Sequence, residues 1–453
     1  MSSKHFSDFD SLKDLRMSTS NNTGPVLASL DIGSSIVKLV YSVATSNKND
    51  GRRDIHHDMN HSKQDAQIDV VGVGLASNTG TKHGVVVNIE ATTESIRKAK
   101  EEAQLMSGYV TNEVWVSDSG THFQSFDSKG MVAIKNKEVT TTDVERVIEA
   151  AKAIMVPADR MVLHVIPREY KIDAQDGISD PIGMSGIRLE ASVHIVTASQ
   201  SAISNLIKCI EKAGFKVMGI VLDHLASSKA VLSDDEKNLG VCVVDVGGGS
   251  SKIAYFVNGS VAHTAVIPVG GFHFSNDISV GLRTPQFAAE ELKKKHGSAV
   301  ASLVSEDDIV EVEGVGGRKS RTIPRKELAL IIEARAEECL GMIASNIRSS
   351  GLQPVLGSGI VMTGGTSSLD GIIEMGEFVF DIPVRRGLPK QVGGLKDVVK
   401  GGEFATAIGL LMHGLEQKRE YYTRKESGMF SHKGNGSFDG VSSKVKKFFN
   451  DLF

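Results

Sequence analysis

Apolar and polar positions occur in the same order in two distant parts of the chain. Residues 25–30 are mostly apolar and lead to Asp31, a glycine-serine turn and a second β-rich stretch. Residues 240–244 lead in the same way to Asp245, a longer glycine-serine turn and another β-rich stretch. Each copy predicts a strand, an acidic hairpin and a second strand. Two such hairpins, one in each half of the protein, predict a cleft that holds a nucleoside triphosphate from both sides.

Longer segments have the 3.6-residue period of helices. The period is clearest at residues 88–106, 285–295 and 324–349, and residues 403–415 form a further apolar segment that we expect to be the last core helix. Strand and helix patterns alternate along the chain, which is typical of an α/β fold.

A small α/β block interrupts the first half. We place it at residues 85–181, with the first domain resuming at residues 190–196. Within it, Thr142 and Glu145 have the spacing of a helix capping box. By itself this pattern indicates an inserted module without indicating its role.

Composition excludes several functional classes. The 453 residues carry 51 basic and 55 acidic side chains, for a net charge of −4, and aromatic residues make up only 5%. This balance argues against a general nucleic-acid binder. The three cysteines are scattered in apolar patterns, which fits buried thiols in a reducing compartment. No run approaches the roughly 20 apolar residues of a membrane span.

The hairpins contain the residue types that a phosphate chain requires. Glycine and small hydroxyl residues let backbone N–H groups approach phosphate oxygens. Asp31 and Asp245 are candidates to hold Mg²⁺, through water, because carboxylate oxygen suits this cation. Lys38 follows Asp31 at a distance from which its ammonium could reach phosphate. A single hairpin of this kind is usually only a turn, but two matching copies and a third loop at 364–366 favour nucleotide binding.

The chain resembles the superfamily of actin, Hsp70 and sugar kinases, and more closely the FtsA family of bacterial cell-division actin homologues. Besides the hairpins, the resemblance rests on LHVIPREY at 163–170, VIPVGG at 266–271, VMTGGT at 361–366 and ATAIGLL at 405–411. It covers about residues 26–415 and the extreme C-terminus. It implies a two-domain actin-like, ribonuclease H-like ATPase fold that binds ATP and Mg²⁺.

The resemblance also implies roles for individual residues. Glu290, Lys293 and Lys294 resemble the helix that faces adenine and ribose, although a solvated helix face remains the alternative for them. The other expected ligands of the nucleotide form three loops: Asp31, Gly33, Ser34, Ser35 and Lys38; Asp245, Gly247, Gly248, Gly249, Ser250 and Ser251; and Gly364, Gly365 and Thr366.

Two positions depart from the expected pattern. The second loop continues as GGGSSK where the family more often has GGGTTD, so Lys252 replaces an acid. Asp223 stands where superfamily members often place Glu or Gln near the attacking water, and Asp is shorter by one methylene. Asp223 is therefore the candidate for positioning water, and we expect slow or negligible ATP hydrolysis.

The resemblance divides the chain into subdomains. The inserted subdomain replaces the one found in actin, and its role in subunit contacts is implied only by the resemblance. The expected units are a mobile tail at 1–25, subdomain 1A at 26–84 and 182–228, inserted subdomain 1C at 85–181, subdomain 2A at 229–276 and 350–402, subdomain 2B at 277–349, the final core helix at 403–415, a flexible linker at 416–437 and a terminal helix at 438–453.

The terminal helix is amphipathic by pattern. At about 100° per residue its apolar side chains share one arc, and lysines flank that arc or lie opposite. This pattern is typical of a helix that lies on an anionic membrane surface, although docking on the protein's own core is the alternative. The expected membrane-binding residues are Phe438, Val441, Lys444, Val445, Lys446, Lys447, Phe448, Phe449, Leu452 and Phe453.

Together with the resemblance, these features predict an ATP-binding, actin-like protein. The resemblance implies that it polymerises with itself on the cytoplasmic face of the inner membrane at the division site. The resemblance implies that it anchors the FtsZ ring by binding the FtsZ C-terminal peptide, through subdomain 2B, and that it recruits later division proteins. A small-molecule kinase of the same fold is the alternative. A chaperone is disfavoured because only about 40 residues follow Leu415, too few for a peptide-binding domain.

If the terminal helix at 438–453 binds membranes, a Phe448→Glu, Phe449→Glu double variant should lose binding to anionic liposomes in sedimentation. Two carboxylates replace two of the four phenylalanines of the arc, and such charges oppose insertion. Undiminished sedimentation of the variant would contradict the hypothesis.

Overall fold

The computed structural model describes residues 26–46 and 66–426. The expected N-terminal tail at 1–25, the membrane-binding helix at 438–453 and the linker residues 427–437 lie outside the described residues. No described helix combines the length and hydropathy needed to cross a membrane.

Strands and helices alternate through the described residues. The strands are β1 Val26–Ile32, β2 Ile36–Ser46, β3 Ala66–Ser77, β4 Thr81–Lys82, β5 Val85–Val86, β6 Glu113–Asp118, β7 Gln124–Ala133, β8 Arg160–Ile172, β9 Gln175–Ile178, β10 Arg188–Ser199, β11 Lys216–Leu222, β12 Val241–Val246, β13 Ser251–Val257, β14 Ser260–Ile267, β15 Ile309–Val312, β16 Arg321–Pro324, β17 Ile360–Thr363, β18 Val384–Arg386 and β19 Val392–Gly394. The helices are α1 Ile89–Ser107, α2 Thr141–Lys152, α3 Gln200–Lys212, α4 Asp223–Val231, α5 Asp234–Leu239, α6 Gly271–Leu282, α7 Gln286–His296, α8 Arg325–Ser349, α9 Ile372–Phe380 and α10 Ala405–Glu426.

The first domain is built on a six-stranded sheet in the order β11-β6-β1-β2-β3-β19. β1 and β2 form the first predicted hairpin, and β6 and β11 continue the sheet parallel to β1. Helices α1 and α10 contact this sheet. β1 is buried along almost its whole length because layers cover both of its faces, which explains its continuous apolar run.

The second domain repeats the central part of this arrangement. Its sheet has the order β14-β13-β12-β17-β18, with β12 and β13 as the second hairpin and β17 parallel to β12. The two hairpins have the same register, since Asp31 pairs with Lys38 and Asp245 pairs with Lys252. Helices α6 and α8 pack against each other beside this sheet, and the short β15–β16 ribbon lies next to α7.

The predicted bounds of the inserted module are wrong at both ends. Within residues 85–118, α1 packs on the first sheet and β6 is one of its strands. The module is instead a four-stranded sheet in the order β7-β10-β8-β9, with α2 on its face. β10, expected in the first domain, is an interior strand of this module. Its alternating pattern predicts a strand, but a local pattern does not specify the partner sheet.

Two helix ends also differ from expectation. α2 begins two residues earlier than predicted, with a capping box between Thr140 and Asp143 instead of Thr142 and Glu145. α10 continues to Glu426, so the first part of the expected linker is helical. Residues 416–426 are polar, but they are rich in good helix formers, and Glu416 forms an ion pair with Lys229 of α4.

The contact between α4 and α10 depends on a glycine. A Cβ atom added to Gly409 would lie 1.7 Å from the Ala226 carbonyl oxygen, so the two helices must separate to accept it. We therefore expect Gly409→Ala to lower the free energy of unfolding by about 1–3 kcal/mol, measured by urea denaturation.

Gly341→Ala is the matched control for this change. Gly341 also lies inside a helix, α8, but a Cβ atom there meets nothing within 4 Å. This substitution should raise the free energy of unfolding by about 0.5–1 kcal/mol because alanine is the better helix former. Equal effects of the two substitutions would contradict the packing argument.

Candidate functional site

A cavity of about 600 Å³ lies where the two hairpins, the third predicted loop and helix α7 meet. Both domains contribute to its wall. The structure brings the following predicted residues together on this wall: Asp31, Gly33, Ser34, Ser35, Lys38, Asp223, Asp245, Gly247, Gly248, Gly249, Glu290, Lys293, Lys294, Gly364, Gly365 and Thr366.

Ser250 and Ser251 are the two predicted residues that do not line the cavity. The Ser251 hydroxyl donates to the Val269 carbonyl oxygen at 2.7 Å, inside the second domain. Neighbouring side chains of a strand point to opposite faces, so Lys252 lines the cavity and Ser251 does not. The Ser250 hydroxyl is buried and has no hydrogen-bond partner among the described residues.

The two hairpins face each other at close range. A Cβ atom on Gly248 would lie 2.6 Å from the Ser35 Oγ atom, and one on Gly249 would lie 2.8 Å from the Ser34 Oγ atom. Glycine in the second hairpin therefore lets the serine side chains of the first approach without being displaced. His83, which the sequence analysis missed, adds a contact across the cleft, with its Nδ1 atom 2.9 Å from the Gly249 carbonyl oxygen.

The third loop packs on the second hairpin. Gly364 has a φ of +84°, and a Cβ atom there would lie 2.4 Å from the Asp245 Oδ1 atom. Gly364 therefore meets both requirements for glycine, a left-handed backbone and a close approach. The Thr366 hydroxyl donates to the Gly247 carbonyl oxygen at 3.5 Å. β17 runs parallel to β12, so both strands end at the same edge of the sheet. The third loop, which follows β17, therefore lies beside the second hairpin.

Helix α7 contributes a charged wall. The Lys293 ammonium lies 2.6 Å from the Glu290 carboxylate and donates to the Gly271 carbonyl oxygen at 2.9 Å. The Lys293 side chain is only 11% exposed, which contradicts a fully solvated helix face. Lys294 is 54% exposed and forms the outer rim. Burial would raise the pKa of Glu290, but the Lys293 ammonium lowers it below its ordinary value.

Carboxylates from parallel strands of the first sheet converge at the floor of the cavity. Asp31 lies near the end of β1, and Asp223 directly follows β11, which runs in the same direction. Asp31 accepts from the Lys38 ammonium at 2.7 Å and from the Ser117 hydroxyl at 2.8 Å. Asp223 lies 2.6 Å from the Lys252 ammonium and accepts from the His224 N–H at 2.8 Å.

Burial and mutual repulsion set the protonation of this cluster. Burial, reinforced by the Asp223 carboxylate, raises the pKa of Asp245 to about 6. Burial alone would also raise the pKa of Asp223, but the adjacent Lys252 ammonium lowers it well below its ordinary value. Burial would lower the pKa of Lys252, but Asp223 and Asp245 raise it. Asp223 and Lys252 are therefore charged at neutral pH.

Asp118 is a further acid that the sequence analysis missed. It ends β6, between the strands that lead to Asp31 and Asp223, and burial raises the pKa of its carboxyl group. The sequence contains a pattern that indicates this acid. An apolar stretch leads to Asp118 and then to Ser119 and Gly120, just as apolar stretches lead to the two acidic hairpins. Ser119 lines the cavity.

The donor set suits an anion better than a bare metal ion. The described residues contain no group of three or more His, Cys, Asp or Glu side chains that could hold a metal. Carboxylate oxygens of Asp31 and Asp223 are already bonded to lysines. Glycine backbones, hydroxyls and ammonium groups are instead the usual partners of phosphate oxygens.

Two domains of repeated topology with a cavity between two acidic glycine hairpins define the actin-like ATPase fold. Solved structures share it: a chain of the PilM–PilN type IV pilus biogenesis complex superposes with a TM-score of 0.58 at 16% identity, covering 86% of this chain and 98% of that one. MreB5 of Spiroplasma citri, bound to AMPPNP, gives a TM-score of 0.51 at 15% identity, covering 88% and 98%.

Sequence comparison narrows the class to one family. The chain is 42% identical to the cell division protein FtsA of Pseudomonas aeruginosa, over 90% of this chain and 93% of that protein. It is 43% identical to that of Neisseria meningitidis over 86% and 94%, and 37% identical to that of Bacillus subtilis over 88% and 85%. The chain belongs to the FtsA family of cell division proteins.

Family profiles agree with this assignment. The profile of cell division protein FtsA matches residues 242–409, and that of the SHS2 domain inserted in FtsA matches residues 120–197. The second match coincides with the β7–β10 sheet instead of the expected 85–181.

The raised pKa of Asp245 predicts a pH dependence of stability. An unfolded aspartate has a pKa of about 4, so the folded state binds this proton more tightly. The resulting stabilisation is complete below about pH 4 and is lost as the pH rises through about 6. We expect the unfolding free energy of Asp245→Asn, relative to the parent, to improve by about 2 kcal/mol between pH 4.5 and 7.5 in urea denaturation.

A pH-independent effect of Asp245→Asn would contradict the prediction.

Proposed function

We propose that the chain binds ATP in the cavity and assembles into actin-like filaments on the cytoplasmic face of the inner membrane at the division site. There it would bind the FtsZ C-terminal peptide, anchor the FtsZ ring and recruit later division proteins. The observation that supports nucleotide binding most directly is the pair of glycine hairpins that face each other across the cavity.

The wall of the cavity suggests how ATP is oriented. The backbone N–H groups of the glycine turns and the hydroxyls of Ser34 and Ser35 offer donors to the triphosphate. Gly365, Thr366 and the Glu290–Lys293 pair line the part of the cavity expected to face the nucleoside. Mg²⁺ would neutralise phosphate charge when bound, with Asp31 and Asp245 as the residues to hold it through water.

The environment of Asp223 favours a structural role of bound ATP over rapid hydrolysis. A general base must be able to accept a proton from the attacking water. The Asp223 carboxylate is instead bonded to the Lys252 ammonium and to the N–H of His224, and its pKa lies below the ordinary range. We therefore propose that hydrolysis is slow and that bound ATP mainly holds the two domains in the geometry that polymerises.

We assign the membrane contact and the FtsZ contact to two separate segments of the chain. The proposed anchor is the amphipathic segment at 438–453, which lies outside the described residues. The proposed FtsZ surface lies within 277–348, where Val280, Ile309 and Leu330 are large, exposed apolar side chains. Exposed apolar side chains of this kind are typical of protein-binding surfaces.

Pelleting with anionic liposomes tests the proposal. The parent protein should sediment as filaments with ATP and should carry the FtsZ C-terminal peptide into the pellet. Gly248→Val places a branched side chain where even a Cβ atom lies 2.6 Å from the Ser35 hydroxyl, so we expect it to lose ATP binding and ATP-dependent filaments. This variant should still bind liposomes through the proposed anchor at 438–453.

Gly341→Ala is the control and should behave as the parent does, because it is far from the hairpins in sequence and its added Cβ atom would meet nothing within 4 Å. ATP-dependent filaments formed by Gly248→Val would contradict the assigned site. Phosphoryl transfer to a small acceptor would favour a kinase instead.

A further inference from the structure

Each hairpin carries a lysine at the same structural position. Lys38 follows Asp31 by seven residues and pairs with it across the first hairpin. Lys252 follows Asp245 by seven residues and pairs with it across the second. The internal duplication therefore includes a cation on each side of the cleft, at equivalent places in the two domains.

Both ammonium groups are held inside the cavity wall. The side chains of Lys38 and Lys252 are 14% and 7% exposed, and both residues line the cavity. The Lys252 Nζ atom lies 3.8 Å from where a Cβ atom on Gly247 would stand, directly beside the second glycine turn. Each lysine is fixed by a carboxylate, Lys38 by Asp31 and Lys252 by Asp223.

The charges of the cavity floor are nearly balanced as a result. The floor carries two lysine ammonium groups and three carboxylates, those of Asp31, Asp223 and Asp245, so its net charge is about −1. An acid in place of Lys252 would increase the excess of negative charge to three, and a polyphosphate would then need an added cation to approach. At short range and reduced dielectric, a change of two charges has a large effect on anion affinity.

We propose that Lys38 and Lys252 supply the cationic charge that a divalent ion otherwise brings to the phosphates, so that this chain binds ATP nearly as well without Mg²⁺ as with it. The inference rests on the proposed nucleotide site and specifies the form of the ligand that the site accepts. It does not require Mg²⁺ to be excluded, since the nucleotide can carry the ion into the cavity.

Isothermal titration calorimetry of the full chain with ATP, in Mg²⁺ and in EDTA, tests the inference. We expect the dissociation constant in EDTA to exceed that in Mg²⁺ by less than about tenfold. Binding that occurs only with Mg²⁺ would overturn the inference and leave the proposed nucleotide site intact. Absence of binding in both conditions would overturn the site and the inference with it.

Lys252→Asp isolates the contribution of this residue. We expect it to raise the ratio of the two dissociation constants by about a hundredfold or more, because an acid replaces the ammonium. Lys252→Asp combined with Asp223→Asn relieves the new repulsion and should show the same direction of change if the single variant does not fold. A ratio that stays at the parent value in a folded variant would overturn the inference.

Lys294→Met is the matched control. It removes a cation from the nucleoside side of the cavity, on helix α7, where Lys294 is half exposed. This change should leave the ratio of dissociation constants at the parent value, whatever its effect on affinity. A ratio that rises as much as in Lys252→Asp would show that any lost cation has this effect, and would overturn the specific role of Lys252.

Discussion

The close approach of two hairpin turns across the cleft constrains most of this structure. Gly248 and Gly249 lie so near Ser35 and Ser34 that even an added Cβ atom would displace the serine side chains. To bring the turns together, each domain must end its central strands at the cleft, and the shared topology of the two sheets does so. β11 runs parallel to β1 with β6 between them, and β17 is the parallel neighbour of β12, so these strands end at the same edges as β1 and β12 and place Asp223 and the loop at Gly364 there.

Buried charge is the second constraint, and it is a consequence of the first. Strand ends that converge in a closed cleft bring carboxylates together away from water, where an unpaired charge is costly. Lysines form ion pairs with Asp31 and Asp223. Burial raises the pKa of Asp245. A floor built this way has a net charge close to zero. This charge balance agrees with the proposed binding of a polyanion, and the pairing of Asp223 with Lys252 agrees with the proposed slow hydrolysis.

Two further elements extend the structure beyond the cleft, the four-stranded module and helix α10. The four-stranded module lies between β6 and α3 in the chain and has its own core, in which Val147, Ile172 and Val193 are buried. Helix α10 starts beside the third loop, packs closely against α4 at Gly409 and continues to Glu426. The same helix therefore connects the nucleotide cavity with the segment that leads to the proposed membrane anchor.

Local patterns determined the elements of this protein and the composition of its site. The runs that end at Asp31 and Asp245 specify strands and turns through side-chain alternation and glycine, and both properties are encoded within a few residues. The helical period located α7 and α8 for the same reason. Partnership between distant segments was decided only by the tertiary structure. β10 joins the inserted sheet, Lys252 pairs with Asp223 and Ser251 points away from the cavity because these outcomes depend on packing and charge between residues far apart in the chain.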